Sequence, residues 1–220
     1  MTKFTLLILT LTPLFIFAQK SDSTSTEYKF IRGGFIEHST ELKSKRYIKN
    51  GLSEIKNGRK KVATGTYKDN ERIGRWKFYK FADSAVIDQI YNYSTKELEA
   101  SNAPLNAFYE IDNSEGSDNI TYPCKIGGFD FGMYFLKKNF RIPNELKSLK
   151  GRHNLLLIFT IDSYGKLINY EQKIISPSYN SSESVDLTKF KSDDLTFVAA
   201  KVNGNAVRSK LILKESITIK

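Results

Sequence analysis

The sequence predicts an α+β protein: an antiparallel β-meander of hairpins followed by a small two-layer α+β domain. Three observations carry this expectation. Aromatic residues make up 13% of the 220 residues, with 15 Phe and 12 Tyr against 2 Met, and aromatic side chains pack well on pleated surfaces. Between Tyr28 and Tyr93, short strand-like stretches alternate with turn pairs such as Asn50-Gly51, Asn57-Gly58 and Asp69-Asn70. Asn-Gly is the strongest short hairpin signal, because both central residues of a type I′ turn need positive φ. Past residue 115 the rhythm becomes helix, strand, strand, helix, strand, the order of a small α+β sandwich.

The chain opens with the three parts of a secretory signal: Lys3, an apolar stretch from Phe4 to Phe17, and the small residue Ala18. Cleavage is expected between Ala18 and Gln19, giving residues 1–18 as the signal peptide. A retained membrane anchor is the alternative, but a spanning helix needs about 20 apolar residues, and this stretch is interrupted by Thr10, Thr12 and Pro13. No later segment is long and apolar enough to span a bilayer, so no transmembrane segment is expected after cleavage. Residues 19–27 are polar and are expected to form a disordered tether.

Residues 28–115 read as the β-rich region. Its strands are Tyr28 to Arg32 before Gly33-Gly34, Arg46 to Lys49 before Asn50-Gly51, and Leu52 to Lys56 before Asn57-Gly58. Lys61 to Lys68, Gly74 to Phe81 and Val86 to Tyr93 follow. Residues 94–120 lose the pattern, apart from the short apolar piece Ala107-Phe-Tyr-Glu-Ile. Residues 116–220 form the α+β domain. Phe129 to Phe140 is expected to be helical, with Phe131, Phe135 and Leu136 on one face. Pro143 opens a second short segment. Leu155 to Ile161 is the most apolar run after the signal and reads as a central strand. Asp162-Ser-Tyr-Gly165 turns into the return strand Lys166 to Ile175. Ser181 to Ala200 is expected to be a helix, and Asn203-Gly204 leads into a last strand, Val207 to Ile219.

Charge is concentrated. The formal net charge is +10, and residues 41–80 carry thirteen Lys or Arg against four Asp or Glu. The rest of the mature chain is close to neutral. For an exported protein nucleic acid is not an expected partner; anionic lipid or glycan is. A solvated face that aids solubility is the competing reading.

Catalytic and metal chemistry find no pattern. The single cysteine, Cys124, excludes an internal disulfide and a cysteine-based zinc site. His38 sits beside Glu37 and Glu41, whereas His153 lacks a local second ligand, so a metal pair would require the fold to bring two distant regions together. No Gly-x-Ser-x-Gly, dinucleotide or phosphate-loop motif occurs. No catalytic residue, metal site or cofactor is expected.

Two family resemblances follow from particular residues. Gly65-Thr-Tyr67, the turn Asp69-Asn70, and Gly74-Arg-Trp76-Lys-Phe-Tyr79 resemble MORN-type repeats in their bacterial YwqK-like form. The resemblance implies hairpins whose aromatic residues pack on their neighbours, serving as binding surfaces. The second covers roughly residues 120–220: Gly127-Gly128, Leu136-Lys-Lys-Asn139-Phe140, Ile142-Pro143, Gly151, Leu157 to Asp162, Gly165 to Asn169 and Asn203 to Val207. In this order they resemble a divergent TonB C-terminal domain. The resemblance implies an α+β domain that takes a partner by strand addition at its last strand. The chain departs from that family in lacking a Pro-rich spacer, with 5 Pro in all.

The resulting expectation is a non-enzymatic periplasmic or secreted adaptor of the Gram-negative cell envelope. It would engage a periplasmic or outer-membrane protein by strand addition or surface contact; electrostatic binding of anionic lipid or glycan through residues 41–80 is the alternative. The expected partner-binding residues are Arg59, Lys60, Lys61, Arg72, Arg75 and Trp76 in the basic stretch, with Ser209 and Lys210 on the last strand.

Overall fold

A computed structural model describes residues 24–220. The expected signal peptide and residues 19–23 of the tether lie outside the described residues. Among the described residues no helix is long and apolar enough to cross a membrane.

Seven strands form an antiparallel meander in chain order: β1 (Thr24–Ile31), β2 (Phe35–Leu42), β3 (Lys45–Asn57), β4 (Lys60–Lys68), β5 (Glu71–Tyr79), β6 (Ile87–Asn92) and β7 (Glu97–Ser101). Thr24 to Glu27, expected in the tether, are the first half of β1 and pair with β2 from Thr24↔Leu42 to Glu27↔Ser39. Asp69 and Asn70 both take positive φ in the turn between β4 and β5, as a type I′ turn demands. Asn50-Gly51 behaves differently from its sequence signal. It lies inside the continuous strand β3, where Gly51 (φ 122°) accompanies a register shift against β2 near Ser39 and Glu41. A positive-φ glycine serves a bulge as well as a turn, and the β2–β3 reversal occurs earlier, between Leu42 and Lys45.

One face of the meander is apolar near its middle. Phe35, Ile55, Ala63, Trp76 and Phe78 are almost wholly buried there. Gly65 makes room for the indole: a Cβ at Gly65 would collide with Trp76, whose ring packs edge-on against Tyr67 at 5.1 Å.

The second half contains β8 (Ala107–Ile111), β9 (Ile120–Thr121), β10 (Cys124–Lys125), α1 (Met133–Lys137), α2 (Asn144–Lys147), β11 (Gly151–Ile161), β12 (Leu167–Ser176), β13 (Tyr179–Ser184), β14 (Phe197–Val198), β15 (Ala200–Val202), β16 (Asn205–Val207) and β17 (Ser209–Ile219). Its main sheet is antiparallel, in the order β13-β12-β11-β17-β8. The central strand β11 and the return strand β12 lie where the sequence expected them.

Four expectations are corrected. The boundary between the sheets falls between Ser101 and Ala107 rather than near 115, because β8 pairs with β17. Ser181 to Ala200 is not a helix: Tyr179–Ser184 continues as a strand against β12, and two short 3-10 turns follow. Ser, Asn and Asp compete for the backbone with their own side chains, and Asp186 does so by accepting from the Thr188 N–H at 3.0 Å. The expected helix from Phe129 to Phe140 contracts to a wide helical turn at Gly128–Gly132 and the short α1. Its apolar residues occupy two sides: Phe129, Met133 and Leu136 enter the core of the second sheet, while Phe131 enters the core of the meander. Finally, β17 is interior along Ser209–Leu213, where β8 covers it.

Segment 124–137 is therefore packed between the two sheets. It is held from β6 by two polar side chains. The Asp88 carboxylate accepts from the Phe129 N–H at 2.7 Å, and the Gln89 amide accepts from the Gly127 and Gly128 N–H groups at 2.7 and 3.1 Å.

Candidate functional site: a basic cleft between the two halves

Where the apolar face of the meander runs out toward its open corner, it becomes polar and faces the 191–194 turn. The result is a cleft of about 390 Å³ between the two halves, continuous through shared walls with a hollow of about 670 Å³. Six cations border the smaller volume, Lys29, Arg32, Lys49, Arg72, Lys125 and Lys191, against the carboxylates of Glu37, Asp193 and Asp194.

Strand register explains the grouping. Lys29 stands opposite Glu37 across β1 and β2, and Arg72 stands opposite Tyr67 across β4 and β5. Arg72 and Trp76 are four residues apart on one strand and so share a face. The buried Glu37 accepts from the Lys49 ammonium and from the Ser53 hydroxyl at 3.2 Å. Burial alone would raise the Glu37 pKa, but the bond and charge of Lys49, with help from Tyr67 and Ser53, hold it below its usual value. Tyr67, pushed up to about 12 chiefly by burial, stays a neutral phenol.

Arg72 is the unusual member. Its Nε donates to the Tyr67 hydroxyl at 3.4 Å and its Nη1 to the Tyr93 hydroxyl at 2.9 Å, and the guanidinium lies 4.6 Å from the centre of the Trp76 ring. Burial opposes its charge, but the neighbouring Tyr93 and Tyr67 raise its pKa above the ordinary value. Among the described residues no carboxylate forms an ion pair with it, whereas Arg32 is paired with Asp194 and Lys49 with Glu37. A guanidinium held by two neutral phenols keeps its full charge for an incoming anion, and its planar fork suits a carboxylate or phosphate.

Lys125 closes the floor. It is buried, and its ammonium donates to the carbonyls of Ile126, Asp193 and Thr196 at 3.0, 2.9 and 2.8 Å. All three of its N–H donors are thus used within the protein, which makes it a structural tie between β10 and the 191–196 segment.

The sequence-derived site residues disperse over the molecule. Arg59 is exposed at the β3–β4 turn, and Lys60 beside it donates to the Phe81 carbonyl at 2.9 Å. Lys61 lies 4.5 Å from the Tyr79 ring centre. Arg75 points to the opposite face and binds both oxygens of Glu99 at 2.9 and 2.7 Å. Trp76 is fully buried and offers no contact surface. Ser209 is buried on β17, and Lys210 pairs with Glu110 at 2.6 Å across β8. Of the eight, only Arg72 borders the cleft. Lys29, Arg32, Lys49, Lys125 and Lys191 were missed, since only Lys49 falls in the basic stretch and none sits in a motif.

Little in the cleft supports bond-making chemistry. The Cys124 thiol, in the β10 that carries Lys125, is pushed up to about 11 by burial, far from a reactive thiolate. Among the described residues no three His, Cys, Asp or Glu side chains gather as a metal site. His153 is buried in β11, with Nε2 bonded to the Leu149 carbonyl at 2.9 Å.

Comparison of the chain with protein-family models, with curated proteins and with solved structures returned no match.

Proposed function

We propose that this protein is a non-enzymatic binding protein, an exported adaptor of the cell envelope, that takes an acidic segment of a partner protein into the cleft between its two halves. The observation that carries the reading is Arg72: a cleft-lining guanidinium without a carboxylate partner, oriented by Tyr67 and Tyr93. Tyrosines and arginines in a concave site are the side chains that most often anchor a partner. The β4–β5 hairpin, in which Tyr67 packs on Trp76 above Gly65, supports the MORN-type likeness and its association with binding surfaces. Strand addition at Ser209 and Lys210 is dropped from the proposal, because β8 already holds that edge.

The alternative, electrostatic binding of lipid or glycan through residues 41–80, draws on one observation. Arg59, Lys60 and Lys61 cluster at one end of the meander, away from the cleft.

Binding of a fluorescent oligo-glutamate peptide tests both. Arg72→Gln is expected to weaken it at least about tenfold, as loss of a charge-assisted contact does, with a native circular dichroism spectrum at the assay temperature as the control for folding. Raising the salt should weaken it as well, since the Debye length is about 8 Å at physiological ionic strength. If Arg72→Gln leaves affinity intact while joint reversal of Arg59, Lys60 and Lys61 to Glu abolishes it, the cleft reading is wrong and the surface reading takes its place.

A further inference from the structure

Among the described residues four strands end the two larger sheets, and they differ in how open they are. β7 and β8 have five residues each, and β13 reads Tyr-Asn-Ser-Ser-Glu-Ser, which is small and polar. β1 is the outlier. It has eight residues, pairs with β2 without a register shift, contains no proline, and among the described residues has no partner on its other edge. Natural edge strands are usually short, bulged or studded with charge, because an open ladder recruits another strand. β1 carries one charge of each sign, Glu27 and Lys29, and also exposes Tyr28 and Phe30, the latter 82% accessible. These side chains share the outer face of the meander, while Glu27 and Lys29 lie on the inner face.

The charges of β1 specify what could pair with it. In an antiparallel pairing of two identical strands, opposed residues lie on the same face, so only registers centred on a residue are allowed. Centring on Glu27 sets two carboxylates face to face, and centring on Lys29 sets two ammoniums face to face. Centring on Tyr28 puts Glu27 of each copy opposite Lys29 of the other, twice, and places Tyr28 against Tyr28 with Thr26 beside Phe30 on the outer face. Opposite charges directly across a ladder stabilise it and like charges oppose it, so the strand is complementary to itself in this register.

We propose that β1 is a self-association edge: two copies of this chain join antiparallel through β1, centred on Tyr28, as a two-fold dimer whose meanders form one continuous sheet. The two-fold axis stands normal to the sheet, so both inner faces, and with them both clefts, open on the same side. The interface is isologous, as closed dimers require. Lys29 is the one residue it shares with the lining of the cleft.

The experiment is sedimentation equilibrium of the mature chain with the single reversals E27K and K29E and the double variant E27K/K29E. The wild type is expected to dimerise in the micromolar range, each single reversal to weaken the dimer at least tenfold, and the double reversal to restore it. Circular dichroism checks that every variant is folded, and the surface position of both side chains makes loss of fold a poor explanation of a rescued dimer. A wild type that stays monomeric to about 100 μM, well above typical specific association, overturns the proposal. So does a dimer indifferent to the single reversals, or one the double reversal fails to restore. Pairing of β1 with an unrelated peptide while the chain itself stays monomeric counts against it equally.

Discussion

Lys125 shows how one side chain can be placed at a cost. Burial pulls its pKa down from 10.5 to about 7, although Asp194 and Asp193 nearby favour the charge. The ammonium donates to three carbonyls and the neutral amine can still donate to two of them, so removing the side chain would strand these acceptors. Between pH 7 and 10.5 the unfolded chain binds a proton that the folded chain releases, so this group makes stability rise with pH across that window. In Lys125→Met the rise should vanish, while overall stability falls because the three carbonyls lose their donor. Urea denaturation of both proteins at pH 7 and pH 9 is expected to show the gap between them widening by about 1–2 kcal/mol at the higher pH. A constant gap would mean that the ammonium persists in the fold. No sequence pattern marks Lys125, since two of its three acceptors are 68 and 71 residues away in the chain.

At the scale of elements, β6 and the turn at Gly127–Gly128 form the joint between the halves. Gln89 is fully buried; its amide accepts from two glycine N–H groups and donates to the Lys125 carbonyl at 2.9 Å. Gly128 takes positive φ, and a Cβ there would strike the Asp88 carboxylate. Gln89→Leu keeps most of the volume and leaves two N–H groups and one carbonyl without their partner. It should destabilise the protein by about 3 kcal/mol or more, the scale of three unsatisfied buried groups at about 1–3 kcal/mol each. Hydrogen exchange should then speed up first at the amides of Gly127, Gly128 and Phe129. Uniform acceleration across both sheets would show that the joint opens only with global unfolding. The Gly127-Gly128 pair was legible as a turn, but nothing local announces that a glutamine about 40 residues earlier completes it.

For the whole molecule, the question is whether two sheets make two folding units. Segment 128–137 sends Phe131 into one core and Met133 and Leu136 into the other, so neither core can be dismantled without exposing the other. Trp76, the one tryptophan of the chain, reports the meander, while Leu136 belongs to the opposite core. Leu136→Ala removes a fully buried side chain and should cost about 2–5 kcal/mol. The loss is expected to appear equally in Trp76 fluorescence and in far-UV circular dichroism, as one transition. An unshifted Trp76 signal would establish independent halves. Charge acts at this scale as well. The basic stretch 41–80 reads as one feature in the chain, yet folding distributes it: Arg75 is neutralised by Glu99, Lys56 by Glu54 and Lys49 by Glu37, and only part of the field reaches the cleft.

What depends on neighbours in the chain was legible before the fold was known. Alternation and the Asp69-Asn70 turn carried the β4–β5 hairpin, and the unbroken apolar run Leu155 to Ile161 carried the central strand of the second sheet. Strand parity also sufficed to put Trp76 and Phe78 on one face. Tertiary structure alone decided which strands close each sheet. Ala107-Phe-Tyr-Glu-Ile carries no sign that it will cover Ser209–Leu213, and so the last strand looked open from the sequence. It also decided the state of Ser181 to Ala200, where β12 takes Ser181 to Ser184 into its ladder and β10 takes Phe197 and Val198. The cleft belongs to the same class: Arg32 meets Asp194 across 162 residues. The physical reason is common to all three. Hydrophobic period and turn chemistry fix local geometry, whereas the choice among strand partners, and the burial that leaves Arg72 without a carboxylate, arise only when two sheets compete for one short helix between them.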